Sequence, residues 1–102
     1  MRRVMVRYRV KPDEVAANEE LVRDVYAELD RAQPAGFHYA TFKLDDGVSF
    51  VHIATHEDDG NPLGKIEAFG RFQAGIRERC DEPPVVTELE EVGSFRFHDE
   101  AA

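Results

Sequence analysis

The sequence has no tryptophan and a single cysteine, Cys80. One cysteine cannot close an internal disulfide, which fits a reducing compartment. No apolar run reaches the roughly 18 residues that a membrane-spanning helix needs. Arg2 and Arg3 precede a strand-like alternation instead of the apolar block of a signal peptide, so a cytoplasmic protein is expected. Basic residues are scarce: 13 Lys and Arg stand against 21 Asp and Glu, a formal charge of −8. That balance argues against nucleic acid and anionic membrane surfaces as partners, because both need clustered cations to displace counterions. The acidic residues at 57–59 and at Glu88, Glu90 and Glu91 read as solvated surface. A chain of 102 residues is long enough for one core and too short for two. A single domain over residues 1–97 is expected, with a frayed tail at 98–102.

What is present is periodicity. Val4, Val6, Tyr8 and Val10 alternate with Arg3, Met5, Arg7 and Arg9, which predicts a strand with one buried face. Residues 13–33 carry apolar side chains at helical spacing (Val15, Val22, Val25, Leu29, Ala32), with Asn18 inside the stripe, and Pro34-Ala35-Gly36 stops the helix. Residues 37–44 and 48–56 are rich in aromatic and β-branched types and flank Asp45-Asp46-Gly47, a hairpin signature. A second helix is expected from about residue 62 to Cys80, with Ile66, Phe69, Phe72, Ile76 and Cys80 as its stripe and Gln73 within it. Its three glycines weaken it. Pro83 and Pro84 end it, a last strand follows over 85–92, and Phe95-Arg96-Phe97 reads as a short extension.

The hairpin register decides which residues share a face, since a slip of one residue turns every side chain of a strand over. A two-residue Asp46-Gly47 loop would place Phe37, Tyr39, Thr41 and Lys43 with Val48, Phe50, His52, Ala54 and His56. A three-residue loop with Gly47 in a left-handed bulge sets Leu44 opposite Val48 and instead collects His38, Ala40, Phe42 and Leu44 with Phe50, His52, Ala54 and His56. The second sorts the apolar residues more cleanly and is preferred. It turns three of the four histidines toward one apolar face.

The order β-α-β-β-α-β predicts an α+β, ferredoxin-like fold: a four-stranded antiparallel sheet with both helices on one face and the first and third strands in the middle. The other face would present Met5, Tyr39, Thr41, Val51 and Ile53, apolar enough that a homodimer burying sheet against sheet is expected.

Certain local patterns carry a family resemblance that spans residues 4–92. They are Val10-Lys11-Pro12 at the end of the first strand, Pro34-Ala35-Gly36-Phe37-His38-Tyr39 leading into the second, Phe50-Val51-His52-Ile53 in the third, and Ala68-Phe69-Gly70-Arg71-Phe72-Gln73 ahead of Glu82-Pro83-Pro84-Val85. The chain resembles the antibiotic-biosynthesis-monooxygenase-like domain of the dimeric α/β-barrel superfamily. The resemblance implies a homodimer in which two sheets close a barrel, with a ligand cavity in each subunit between sheet and helices. Some relatives are cofactor-independent monooxygenases of polycyclic phenols, so no cofactor is expected; others degrade haem. The family's third-strand tryptophan would fall on His56. The helix histidine and first-strand asparagine of haem-degrading relatives would fall near Ile66 and near Arg7, which argues against haem.

His52 and His56 lie about 13 Å apart along a strand, too far for one metal ion, so no metal site is expected. As part of a pocket wall they make better sense. Tyr8, Asn18, His38 and Gln73 are candidate ligand-binding residues around an apolar space, and His52 or His56 is the candidate base. Small Ala40 and Ala54 would leave the room. An enzyme acting on a small phenolic or enolic compound, a non-catalytic small-ligand binder, and a structural dimer whose cavity is filled by side chains all remain compatible with these residues. Cys80 reads as a small core residue.

Overall fold

The computed structural model describes residues 1–58 and 60–97. The expected tail at 98–102, with His98, and the acidic residue Asp59 lie outside the described residues. Strand β1 (Arg2–Val10) leads through a 3-10 turn at Pro12–Glu14 into helix α1 (Val15–Ala32). Strands β2 (His38–Lys43) and β3 (Ser49–His56) form the hairpin. A 3-10 turn at Pro62–Lys65, helices α2 (Glu67–Gln73) and α3 (Ile76–Arg79), and strand β4 (Cys80–Glu88) complete the order. The sheet order is β2-β3-β1-β4, wholly antiparallel. This is the expected α+β, ferredoxin-like arrangement with β1 and β3 in the middle.

The alternation in β1 behaves as its pattern dictates: Tyr8 and Val10 are buried in the core, where they meet Val22, Val25, Phe50, Leu63, Ile66, Ala68 and Phe72. Helix α1 ends on Gln33, which adopts a left-handed conformation and donates its backbone N–H to the Leu29 carbonyl. Glu28 on α1 accepts from the backbone N–H groups of Glu67 and Ala68 at 3.1 and 2.9 Å. It thereby caps α2 from a neighbouring element and fixes where Phe69 and Phe72 project.

Four expectations are corrected. The hairpin does not set Leu44 opposite Val48. Leu44 N–H donates to the Ser49 carbonyl, and the loop is four residues long, Asp45 to Val48. Asp46 holds it: its carboxylate accepts from Val48 N–H, Ser49 N–H and the Ser49 hydroxyl at 3.0, 2.8 and 2.6 Å. Gly47 sits at φ +79° as either loop required, so the glycine did not discriminate. Lys43, Thr41 and Tyr39 face Phe50, His52 and Ala54, the face grouping of the shorter loop.

The second helix is not continuous. It breaks at Ala74-Gly75, with Gly75 at φ +77°, where an L-side chain is strained. Cys80 follows the end of α3 as expected, and it also opens β4 beside Val10. Strand β4 starts before the prolines and stops at Glu88 short of residue 92. Pro83 and Pro84 are tolerated because β4 is an edge strand whose pairing with β1 shifts register nearby. Phe95-Arg96-Phe97 does not pair as a strand.

Candidate functional site

The register brings Tyr39 and Thr41 of β2, His52 of β3 and Tyr8 of β1 to the helix-facing side of the sheet, under Asn18 of α1 and Phe72 of α2. The centre is His52, which is buried and bonded at both ring nitrogens. Nε2 lies 2.8 Å from the Tyr8 hydroxyl, and Nδ1 lies 2.7 Å from that of Tyr39 and 3.1 Å from Thr41 Oγ1. Thr41 Oγ1 is in turn 2.8 Å from the Tyr26 hydroxyl.

On the other side, Asn18 Nδ2 donates to Tyr8 at 2.9 Å, and Arg79 Nε donates to Asn18 Oδ1 at 3.3 Å. Arg79 fixes this end. A guanidinium can only donate, so the Asn18 carbonyl must face it and the Asn18 amide must face Tyr8. Arg79, 8% exposed, is held by the carbonyls of Phe72 at 2.7 Å and Ala74 at 3.2 Å, at the break between α2 and α3. It also lies over the Phe72 ring. No carboxylate among the described residues pairs with it.

Burial sets the protonation states. It lowers the His52 pKa to about 4, because the imidazolium would be desolvated. It raises Tyr8 above the usual phenol value, against the opposing bond from Asn18, and raises Tyr39 and Tyr26 as well. At neutral pH the whole chain of groups from Tyr26 to Tyr8 is uncharged.

Beside it lies a cavity of about 240 Å³, lined by Tyr8, Tyr39 and His52, by the amides of Asn61 and Gln73, and by apolar residues including Val6, Phe69 and Phe72. A cavity of roughly 150 Å³ suffices for benzene, so there is room for more than one ring. Val86 and Pro84 of the edge strand complete the wall. Val86 is on the helix side of the sheet yet 66% exposed, and the cavity therefore opens to solvent along β4. No charged side chain lines it.

Of the expected site residues, the structure brings Tyr8, Asn18 and His52 into one network and places Gln73 on the cavity wall. It separates the other two. His38 is on the opposite face of the sheet, exposed, beside a second cavity of about 300 Å³ with Arg3, Phe42, Thr55 and Phe97. His56 keeps the helix-facing side but sits at the far end of β3, where Nδ1 is 2.6 Å from the Glu57 carbonyl. A carbonyl only accepts, so that nitrogen carries a proton. His56 does not line the cavity.

Tyr39, Thr41, Tyr26 and Arg79 were not singled out from the sequence. The parity of the shorter hairpin loop would have delivered the first two. Nothing local marks Arg79, whose role arises from a helix break.

No protein-family model and no curated protein matches the chain. Solved structures do. One described as an antibiotic biosynthesis monooxygenase superposes with a TM-score of 0.72 at 22% identity, over 91% of this chain and 100% of that one. A candidate antibiotic biosynthesis monooxygenase from Nitrosomonas europaea gives 0.72 at 16% identity, with the same two coverages. Another from Caulobacter crescentus gives 0.63 at 21%, over 90% of each chain.

Proposed function

The chain has the antibiotic-biosynthesis-monooxygenase-like fold, and on that premise we propose that it binds a small, neutral phenolic or enolic compound between sheet and helices and oxygenates it without a cofactor. The observation that carries this reading is the apolar cavity ending in Tyr8, His52 and Tyr39 with no charged side chain in its wall. Such a site would hold a ring system by burial and one ligand oxygen by hydrogen bonds to the hydroxyls. Once a proton leaves the ligand, the electron-rich carbon reacts with oxygen. A ring CH2 becomes C=O with one oxygen atom, and the other departs as water with the two hydrogens.

Oxygen uptake with anthrone, a ketone that reacts through its enol, tests this. Wild type should accelerate uptake, His52→Ala should lose at least about 10²-fold, and His56→Ala should not change it. Equal uptake by wild type and His52→Ala removes the proposal.

The engagement of both His52 nitrogens favours a second reading, binding without turnover. A base with a pKa near 4 removes a phenolic proton poorly. That reading predicts a thermal shift with anthrone and no oxygen uptake above the uncatalysed rate.

The outer sheet face supports a homodimer. Phe42 is 44% exposed there, beside Val51, Ile53 and Met5, and a second copy would cover it. A monomer mass by light scattering at micromolar concentration would remove that part.

A further inference from the structure

The outer face of the sheet carries polar groups of its own, at the end where β1 begins. The register sets His38 of β2 opposite Thr55 of β3, and Thr55 opposite Arg3 of β1, so these three side chains form one row across three strands. The next row on that face is Ala40, Ile53 and Met5, and the one after it is Phe42, Val51 and Arg7. Successive rows lie about 7 Å apart along the strands. Ala40 is small where its neighbours His38 and Phe42 are large, and a hollow results. It is the cavity of about 300 Å³, bounded by the polar row at one end, by Ala40, Ile53 and Phe42 along the strands, and by Phe97. The cavity follows the edge strand β2, to one side of Met5 and Val51 at the centre of the face.

The polar row holds more donors than acceptors. Arg3 Nε donates to Thr55 Oγ1 at 2.9 Å and Nη1 donates to Glu91 at 2.6 Å, while Nη2 has no acceptor among the described residues. Thr55 is 7% exposed. Its oxygen accepts from Arg3, and its own hydrogen has no acceptor among the described residues. A buried donor left unpaired is costly. His38, exposed at the sheet edge, makes no side-chain hydrogen bond among the described residues. Nη2 lies on the same edge of the guanidinium as Nε, so an oxygen placed beside Thr55 can accept from both Nη2 and the hydroxyl. What the row lacks is a pair of acceptors.

We propose that this cavity binds a small aromatic carboxylate of one or two rings, with its two oxygens on Arg3 Nη2, the Thr55 hydroxyl and a His38 N–H, and its ring over Ala40 and Ile53 toward Phe42 and Phe97. Each part of that ligand answers to a residue. A carboxylate brings two acceptor oxygens and one negative charge, where an alcohol or ketone brings a single oxygen and no charge. A doubly charged phosphate is disfavoured, because the Glu91 carboxylate already sits on the same guanidinium. The walls beyond the polar row are apolar, and the volume is about twice the roughly 150 Å³ that suffices for benzene. The site is separate from the one between sheet and helices. It lies on the opposite face, and its wall contains a cation where the inner cavity has no charged side chain.

The test is isothermal titration calorimetry of the full chain with 2-naphthoate, using 2-naphthalenemethanol as its neutral analogue. Wild type should bind one naphthoate per chain and hold the alcohol at least about 10-fold more weakly. Arg3→Gln and Thr55→Val should each weaken naphthoate by about 10-fold or more, the loss expected for a hydrogen bond to a charged group. His38→Ala changes an exposed side chain, leaves folding intact and should lose several-fold. Glu91→Gln should tighten binding, since it removes a competing negative charge from Arg3. Circular dichroism checks that each variant is folded.

No naphthoate binding at millimolar ligand overturns the proposal, and so does equal affinity for the alcohol. Unchanged affinity in Arg3→Gln or in His38→Ala overturns it as well, and weaker binding by Glu91→Gln overturns the charge assignment on which it stands. Saturating anthrone should leave naphthoate bound. Displacement by anthrone would put the acid between sheet and helices and overturn the outer site, whereas naphthoate binding without any anthrone binding keeps the outer site and counts against the inner one.

Discussion

Replacing Arg79 by Met keeps an unbranched apolar stem against Phe72 and removes the guanidinium. The structure sets the size of the effect. The Phe72 carbonyl loses a 2.7 Å charged hydrogen bond in a buried place, and the Ala74 carbonyl and Asn18 Oδ1 lose bonds of 3.2 and 3.3 Å. A charged bond contributes about 1.5–3 kcal/mol and a longer, weaker one about 0.5–1 kcal/mol. Against that stands relief from burying a cation without a carboxylate partner. A net destabilisation of about 2–3 kcal/mol is expected, which for a chain of this size lowers the melting temperature by about 10–20 °C. Thermal unfolding by circular dichroism with a urea titration checks it, and Arg79→Lys, able to reach one carbonyl but not span three acceptors, should fall between. If Arg79→Met is as stable as wild type, the guanidinium does not tie the break between α2 and α3, and the orientation of Asn18 loses its support.

The buried neutral His52 predicts an acid-side loss of stability. Its pKa is lowered from 6.5 to about 4 on folding, so between those values the unfolded chain binds the proton and the folded one does not. Its contribution is complete above pH 6.5 and is lost as pH falls to about 4, by about 3 kcal/mol in all; urea midpoints of wild type and His52→Gln between pH 7 and 4 should converge, and parallel curves would contradict it. Gly75→Ala places a side chain at φ +77° and should cost about 1–2 kcal/mol by chemical denaturation. Phe42→Glu on the outer sheet face should shift a dimer toward monomer in light scattering without lowering the monomer's helical signal.

The residues that anchor the fold could be recognised from their spacing. Strict alternation from Val4 to Val10 placed Tyr8 inward, and the helical stripe of α1 placed Asn18 beside it, where it is fully buried. Both signals are local, because a strand repeats every two residues and a helix every 3.6, and either period buries one face whatever it packs against. The hairpin was different. Asp45-Asp46-Gly47 accommodates loops of opposite parity with the same left-handed glycine, and the apolar count favoured the wrong one because Phe42 is large and Tyr39 and Thr41 look polar. The folded protein inverts that choice, since the hydroxyls of Tyr39 and Thr41 find His52, while Phe42 is left on the outer face.

The sequence by itself determined the element order, the inward faces of β1 and α1, and the absence of a disulfide within the chain. Tertiary structure decided the register of β2, the break that lets Arg79 turn back to the carbonyls of Phe72 and Ala74, and hence which histidine meets the cavity. Those outcomes depend on partners brought from up to 61 residues away, as between Asn18 and Arg79. A buried polar group is tolerated only where such partners satisfy it, and no window along the chain contains them.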